Sequence, residues 1–332
     1  MSRIELKEAL DRLRAGEVVA IPTETVYGLA ADATQEGAIG KVFATKGRPS
    51  DHPLIVHLGS ADWASHWGDC PAELEALADR FWPGPLTLVV PRRPAVSPLI
   101  TGGQDSVALR VPRHPLTLEL LRQLGRPLVA PSANLFGHTS PTSAQHVLDE
   151  FQGAVPVLDG GPCQVGLEST ILDLTHRPFR ILRPGQLGQQ ELEEVLGPLD
   201  AAASRPRDAS RPREASRPRP RVPGALDRHY APQTPAYLGR PPGEASFGWL
   251  GLNSRSVPPE ASGFVLLPDD PEGYARGLYG ALRQLDRQGW GVLAIDPPPR
   301  LPGWEAIWDR LARAITPENE ANTGGPPGAH GS

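Results

Sequence analysis

The sequence predicts an α/β fold in two parts, a larger layered domain followed by a smaller one. Strand-like and helix-like segments alternate through the first two hundred residues, which is typical of α/β layers. An arginine- and proline-rich tract then interrupts the alternation, which resumes after residue 233. A chain of 332 residues is long for one hydrophobic core and comfortable for two.

Hydrophobic patterning places the elements of both parts. In the first part, strands are predicted at residues 17–22, 53–58, 86–91, 106–111, 127–131, 155–158, 169–174 and 179–183. Helices are predicted there at residues 3–14, 36–45, 71–81, 115–124, 143–151 and 189–196. Thr142 and Gln145 fit a capping box for one of these helices. In the second part, strands are predicted near 245–251, 263–267 and 291–295, and helices near 272–288 and 304–315.

Composition marks the boundaries between the parts. We expect a first domain at 1–197, a linker at 198–232, a second domain at 233–316 and a disordered tail at 317–332. The linker contains near-repeats of Ser-Arg-Pro-Arg from residue 204 onward, with almost no apolar residue to bury. Such a tract is predicted to be a solvated, extended spacer. Its positive charge leaves open a contact with RNA, a partner or nucleotide phosphates.

Overall charge and cysteine content exclude several classes of protein. The net charge of −5 gives no global basic field that would attract nucleic acid. Two cysteines, Cys70 and Cys163, are too few for a disulfide framework and lack the spacing of a metal site. The N-terminal residues resemble an amphipathic helix rather than a signal peptide, and no apolar run approaches the ~18 residues of a membrane span. We therefore expect a soluble, cytoplasmic protein.

Polar residues follow a strand at residues 22–29, which read PTETVYGL. Pro22 cannot donate a hydrogen bond within a sheet, so the strand before it should end there. Three hydroxyls and one carboxylate then stand where the chain leaves the sheet, the usual place for ligands in open α/β sheets. The alternative is that these hydroxyls only cap the following helix.

Charged and hydroxyl residues also occur at a turn after a predicted helix and at other strand ends. Lys46 and Arg48 make a cationic corner suited to a polyphosphate, although cations are also favoured at a solvated helix end. The chain has three lysines against thirty arginines. Further polar motifs read PSAN at 131–134, ESTI at 168–171 and RPG at 183–185. No glycine-rich phosphate-binding loop is present. The pattern indicates a site along one rim of the sheet.

Six motifs in order, PTETVYGL, KGRP with PLIVH, WPGPLT, PSAN, ESTI and RPG, resemble those of the YrdC-like threonylcarbamoyl-AMP synthases. The segments RHYAP at 228–232 and AIWDRLARA at 306–314 are similar to the linker motif and last helix of that family's two-domain form. The resemblance implies a twisted mixed-sheet catalytic domain and a smaller Rossmann-like C-terminal domain. It also implies condensation of L-threonine, bicarbonate and ATP to threonylcarbamoyl-AMP and pyrophosphate. A separate transferase complex would then use the product to modify tRNA.

The resemblance also assigns residues to the two substrates. Threonine would contact Thr25, His57, Arg110, Ala130 and Ser169, with Tyr27 close by. ATP would contact Lys46, Arg48, His52, Ser106, Ser132, Asn134, Ser140 and Arg183. Arg110 should hold the threonine carboxylate, because a guanidinium matches that group's geometry. His57 could instead be a half-buried strand histidine. Neither a covalent nucleophile nor a protein-held metal is expected, and Mg²⁺ should accompany ATP.

Two positions depart from the family pattern. His52 stands where the family usually has asparagine, and Asp227 stands where an aromatic residue is common. Linker contacts to ATP therefore depend on His229 and Tyr230, which are candidates for closing over the site. Two other functions remain open. One is an RNA-binding protein without adenylate-forming activity, and the other is a carbamoyl-transferring maturation factor, for which zinc-finger spacing is missing.

Overall fold

The structure is a computed structural model that describes residues 3–200, 219–224, 228–241 and 246–316. Most of the predicted spacer, Asp227 and the tail at 317–332 lie outside these residues, so the expectations for them remain predictions. Within the described part, no helix combines the length and apolar character needed to cross a membrane.

The described elements follow one another along the chain in a mostly alternating order. The strands are β1 (Arg3–Ile4), β2 (Val19–Ile21), β3 (Gly28–Asp32), β4 (Ile55–His57), β5 (Leu86–Pro91), β6 (Ser106–Arg110), β7 (Leu128–Val129), β8 (Val157–Leu158), β9 (Thr170–Asp173), β10 (Arg180–Arg183), β11 (Ala236–Leu238), β12 (Phe247–Leu252), β13 (Ala261–Leu267) and β14 (Val292–Ile295). The helices are α1 (Leu6–Arg14), α2 (Glu36–Lys46), α3 (Ala72–Phe81), α4 (Pro98–Thr101), α5 (Pro115–Leu124), α6 (Ala144–Glu150), α7 (Gln189–Leu196), α8 (Pro271–Asp286) and α9 (Glu305–Ala314), with a 3₁₀ helix at Ala61–His66.

Strands β1 to β10 form one mixed sheet in the order β1-β8-β2-β3-β7-β4-β6-β5-β9-β10. Alternate residues of its strands enter two different hydrophobic clusters, because successive side chains of a strand point to opposite faces. Val19 and Ile21 pack with α1 and α5, whereas Ala20 packs with residues of α2 and α3. Helices therefore cover both faces, and the sheet's edges and strand ends are left for a site.

Strands β11 to β14 form a second sheet, parallel throughout, in the order β11-β14-β12-β13. Apolar side chains of α8 and α9, among them Leu278, Leu282 and Leu311, pack on one face. Val257, from the loop after β12, packs on the other face against Trp249 and Ala294.

The predicted α/β class, with a large mixed sheet and a smaller sheet, is confirmed. The strand β3 was not predicted, and the predicted helix at 3–14 begins only at Leu6, because Arg3 and Ile4 pair with β8. The predicted capping box is wrong: the N-cap of α6 is Ser143, whose hydroxyl accepts from the backbone N–H of His146. The predicted domain boundaries remain predictions.

Candidate functional site

The ends of five strands meet around one cavity in the large sheet. β2 leads into the loop 22–27, β4 ends at His57, β6 ends at Arg110, β7 leads into the loop 130–134, and β10 ends at Arg183. The cavity comprises about 530 Å³ including its open mouth. Its lining residues are Thr23, Thr25, Val26, Gly28, Arg48, Ile55, His57, Arg110, Ala130, Pro131, Ser132, Glu168, Ser169, Arg183, Pro223, Gly224, His229 and Tyr230.

The loops after β2 and β7 are held together by a close backbone approach. Gly28 and Ser132 form an antiparallel bridge across the cavity floor. A Cβ atom at Gly28 would stand 3.0 Å from the Cβ of Ala130. Glycine at position 28 therefore lets the motifs PTETVYGL and PSAN lie side by side.

Arg110 is almost fully buried and forms an ion pair with Glu24 of the neighbouring loop. Its Nη2 atom lies 2.7 Å from Glu24 Oε1, and its Nε donates to the carbonyl of Gly84. Glu24 also accepts from the backbone N–H of Arg113. Burial alone would raise the pKa of Glu24, but the charge and hydrogen bond of Arg110 lower it overall. The ion pair fixes the guanidinium in the cavity wall.

His57 lies beside Arg110 because β4 and β6 are parallel and these two residues are in register. Burial, followed by the charge of Arg110, lowers the pKa of His57 to about 3. The ring is therefore neutral at physiological pH. Its Nδ1 lies 3.3 Å from the carbonyl of Ile55, which assigns the proton to Nδ1 and leaves Nε2 as an acceptor.

Three buried cations near the cavity have carbonyl rather than carboxylate oxygens as hydrogen-bond partners. Arg48 donates to Pro53, Arg183 donates to Ser169 and Pro223, and Lys46 donates to Ser132 and Asn134. Burial lowers the pKa of Arg48 to about 10, and it also lowers the pKa of Lys46 and Arg183. None of these hydrogen bonds goes to a carboxylate, so the donors of Arg48 and Arg183 on the cavity wall suit an anionic ligand.

Glu168 joins the cavity to the second sheet's helices. Its Oε1 accepts from Ser140 at 2.6 Å, and its Oε2 accepts from Tyr279 at 3.0 Å and from Arg310 Nε at 2.7 Å. Burial opposes ionisation, but the charges of Arg310 and Arg183 and the hydrogen bonds from Ser140 and Arg310 lower the pKa of Glu168 to about 2. A fully buried guanidinium from α9 therefore holds an ionised carboxylate at the cavity wall.

Residues 223–224 and 229–230 cover the cavity from the linker side. Tyr230 adopts a φ of 63°, and its ring lies 4.1 Å from that of His229 and 5.8 Å from that of Tyr279, between ring centroids. Tyr230 Oη, His229 Nδ1 and Arg48 Nε are buried without a hydrogen-bond partner within the described part. Buried polar atoms are nearly always paired in folded proteins. Three unpaired atoms on one cavity therefore indicate that a bound ligand supplies their hydrogen bonds.

The structure brings eight of the residues predicted from the sequence to the cavity. These are Thr25, Arg48, His57, Arg110, Ala130, Ser132, Ser169 and Arg183. Five others stand outside its lining: Lys46, His52, Ser106, Asn134 and Ser140.

Most of these five stand next to the cavity rather than in it. The Lys46 ammonium and the Asn134 amide bind backbone carbonyls of the loop after β7. Ser140 lies behind Glu168, and the ring of His52 packs against Phe136 at 5.3 Å between centroids. Ser106 is the first residue of β6, at the opposite end from Arg110. Their roles toward ATP remain predictions.

Sequence reasoning missed Glu24, Glu168 and Arg310 as parts of the site. Glu24 and Glu168 lie inside the quoted motifs, next to residues that were assigned, and two carboxylates in such motifs could have been matched to two arginines. Tyr27, which was expected near threonine, instead donates its hydroxyl to the carbonyl of Gly161.

Within the described part of the chain, no group of three or more His, Cys, Asp or Glu side chains could hold a metal ion. The two carboxylates of the site do not fit such a role, because each is engaged by an arginine.

Two family models match successive parts of the chain. Residues 11–185 match the family of Sua5, YciO and YrdC, described as "Telomere recombination". Residues 187–315 match the family described as "Threonylcarbamoyl-AMP synthase, C-terminal domain".

Relatives of similar length share the whole arrangement. A threonylcarbamoyl-AMP synthase of Pyrococcus abyssi is 38% identical over 329 residues, which cover 93% of this chain and 94% of the relative. One of Bacillus subtilis is 42% identical over 330 residues, with coverage of 93% and 92%. The crystal structure of P. abyssi Sua5 complexed with L-threonine superimposes with a TM-score of 0.82 at 37% identity, covering 95% of this chain and 98% of that one.

Proposed function

The chain belongs to the Sua5/YciO/YrdC family, and from that premise we propose that its cavity makes threonylcarbamoyl-AMP. The substrates are L-threonine, bicarbonate or carbon dioxide, and ATP, and pyrophosphate is released. The observation that carries the proposal is the meeting of the predicted threonine-side and ATP-side residues on one cavity, with Arg110 and Arg48 both in its wall.

The threonine half of the site matches the chemistry of an amino acid. Arg110, fixed by Glu24, offers its remaining donors to the carboxylate. Thr25, Ser169 and the backbone at Ala130 supply polar groups around it. His57 offers an acceptor to the amine or hydroxyl. With a pKa of about 3, His57 orients the amine and does not store its proton at neutral pH.

The ATP half of the site matches a polyphosphate. Arg48 and Arg183 lie in the wall with donors not committed to carboxylates, and Lys46, which we also assign to ATP, donates to the backbone of the loop after β7. Ser132 lies on the cavity beside them, and Asn134, Ser140, His52 and Ser106 complete the proposed nucleotide-binding set. We propose that Mg²⁺ arrives with ATP, since each carboxylate of the site is ion-paired with an arginine.

The reaction follows from this placement. The neutral threonine amine attacks carbon dioxide, forms the C–N bond and releases a proton to solvent, which gives a carbamate; from bicarbonate the same carbamate forms with loss of water. A carbamate oxygen then attacks the α-phosphorus of ATP, the bond to the β-phosphate oxygen breaks, and pyrophosphate leaves. Positioning and neutralisation of charge supply the acceleration, and no covalent enzyme intermediate is needed. His229 and Tyr230 cover the cavity and exclude water, which would hydrolyse the carbamate and the mixed anhydride.

The product would serve the threonylcarbamoyl modification of the tRNA adenosine beside the anticodon, carried out by a separate transferase complex in the cytoplasm. The site is built for a small zwitterion and a nucleotide, so we propose no direct tRNA contact for the cavity itself. We also propose the division into a catalytic domain at 1–197, a linker at 198–232 and a C-terminal domain at 233–316.

Pyrophosphate release tests the proposed function. Purified protein should release pyrophosphate from ATP only when threonine and bicarbonate are both present. Omitting either one should abolish release, and serine or valine should replace threonine poorly. RNA binding without this release would instead support the nucleic-acid-binding alternative, whose affinity should fall steeply with salt.

A further inference from the structure

We propose that Glu168 binds a ribose hydroxyl of ATP, and that Arg310 and Tyr279 of the C-terminal domain are positioning residues that hold it for this role. The proposal deepens the proposed function and rests on it. It means that α8 and α9, which carry Tyr279 and Arg310, help to form the nucleotide-binding site.

The first step is that the Glu168 carboxylate accepts fewer hydrogen bonds from the protein than it can. Oε2 of Glu168 is filled by Tyr279 and Arg310, whereas Oε1 receives one hydrogen bond, from Ser140. A carboxylate oxygen accepts about two hydrogen bonds, so Oε1 keeps one acceptor position. Glu168 lines the cavity, and the proposal assigns this remaining acceptor position to the bound ligand.

The second step is the chemistry of the ligand group. An ionised carboxylate can only accept, so it repels phosphate and selects a donor. Its neighbours on the ATP side are Ser140, which bonds it directly, and Arg183, whose charge acts on it. A nucleotide offers hydroxyl donors on its ribose, and acidic side chains at strand ends are common partners of ribose hydroxyls.

The third step is the support from the C-terminal domain. Arg310 is 0% exposed and bonds Glu168 through both Nε and, more weakly, Nη2, which lies 3.4 Å from the Glu168 carbonyl. Arg310 also donates to the carbonyl of Pro184, directly after Arg183, and its guanidinium lies 5.2 Å from the ring centre of Tyr230. The same side chain thus contacts the carboxylate, the end of β10 and the linker.

The test is a ratio of substrate preferences, because a ratio does not change when part of a preparation is misfolded. The full-length enzyme is assayed for pyrophosphate release with ATP, 2′-deoxy-ATP and 3′-deoxy-ATP. We expect the wild type to prefer ATP by roughly ten- to a hundredfold in kcat/KM over one of the two deoxy analogues, as for loss of a charge-assisted hydrogen bond.

Glu168→Gln should reduce that preference to a few-fold. Arg310 can only donate, so it holds the amide oxygen of glutamine and turns the NH₂ group toward Ser140 and the cavity. Arg310→Met should reduce the preference as well. Glu168→Leu combined with Arg310→Met removes both charges together, which cores tolerate better than removal of one. This double variant should show a preference near one.

Arg287→Met is the matched control. It breaks another ion pair between the two parts of the chain, with Asp149, that lies away from the cavity. It should leave the preference unchanged even if it lowers stability.

Three results would overturn the proposal. One is a wild type that uses ATP and both deoxy analogues equally. Another is an active Glu168→Gln enzyme with an unchanged preference. The third is a set of Glu168 and Arg310 variants that keep the wild-type nucleotide preference but change the preference for threonine over L-2-aminobutyrate. A wild type that releases no threonine-dependent pyrophosphate would instead refute the proposed function, and this inference with it.

Discussion

At the residue scale, some donors of Arg110 bind protein groups and the others are left for a ligand carboxylate. Glu24 and the Gly84 carbonyl occupy Nη2 and Nε and fix the direction of the guanidinium. The side chain is 4% exposed, so a carboxylate that reaches it is largely desolvated and binds more strongly than at a surface. The arrangement predicts that Arg110 acts on one substrate far more than on the other.

Replacing Arg110 by methionine should raise the KM for threonine by roughly ten- to a hundredfold and change the KM for ATP little, because one charge-assisted hydrogen-bond pair is lost. Steady-state kinetics with each substrate varied in turn measures both constants. Arg113→Met is the control, since the Arg113 side chain is exposed and only its backbone bonds Glu24. Equal weakening of both substrates would refute the assignment of Arg110.

The same scale shows what sequence motifs can predict. Thr25, Arg48, Arg110 and Ser169, which the motif resemblance assigned to the two substrates, lie together on one cavity. Thr25, Arg110 and Ser169 stand at or next to the end of a predicted strand, whereas Arg48 follows a predicted helix. Arg310 was missed because its partner, Glu168, lies 142 residues away in the chain, and local patterning carries no information about such pairs.

At the element scale, residues 223–224 and 229–230 decide how tightly the cavity is covered. Gly224 has a φ of +78°, and a Cβ there would stand 1.9 Å from Tyr230 Oη. Tyr230 itself has a positive φ, which a non-glycine residue adopts only when its surroundings hold it there. The position of the Tyr230 ring therefore depends on the absence of a side chain at position 224.

Gly224→Ala should displace the Tyr230 ring and lower kcat/KM by about tenfold or more, and backbone strain should lower the free energy of unfolding by at least ~1 kcal/mol. Gly239→Ala is the control: its φ is +75°, but its Cβ would meet nothing within 4 Å. Comparable kinetics for the two variants would show that the contact with Tyr230 has no role in activity.

Elements were predicted best where their patterns were strong. The bounds of α5 and α7 agree with the prediction to the residue, and both have apolar residues at helical spacing. The strand β3 was missed because its sequence, GLAAD, has no β-branched or aromatic residue. Burial between β2 and β7 makes it a strand, and that is a property of the fold rather than of the segment.

At the scale of the whole molecule, the two parts are joined by buried charge as well as by apolar packing. Arg310 meets Glu168, and Arg283 meets Glu150, at 2.7 and 2.8 Å. Burial opposes ionisation of Glu150, yet hydrogen bonding from His138 and the charge of Arg283 lower its pKa to about 2. Both carboxylates stay charged at neutral pH, so the junction is electrostatically intact under physiological conditions.

Burial of neutral histidines predicts how stability depends on pH. Burial lowers the pKa of His57 and His229 to about 3, whereas an unfolded histidine titrates near pH 6.5. The unfolded state then binds more protons below that value, so stability is full above pH 6.5 and falls as the pH drops. Each histidine contributes a slope of about 1.4 kcal/mol per pH unit below about pH 6.

Urea unfolding between pH 7 and 5, above the range in which most carboxylates titrate, measures this slope. His229→Gln should make the fall in stability shallower, and replacement of exposed His66 by glutamine should leave it unchanged. A His229→Gln enzyme with the full wild-type slope would contradict the neutral, buried state of His229.

The account as a whole depends on one cavity that holds threonine and ATP side by side. A crystal structure of the full chain with L-threonine and an ATP analogue that cannot be cleaved between the α- and β-phosphates tests this most directly. The account predicts the threonine carboxylate on Arg110 and the phosphates on Arg48 and Arg183, with the amine and the α-phosphorus close enough to be bridged by one carbon dioxide. Ligands bound in separate places, or a nucleotide that displaces threonine from Arg110, would contradict it.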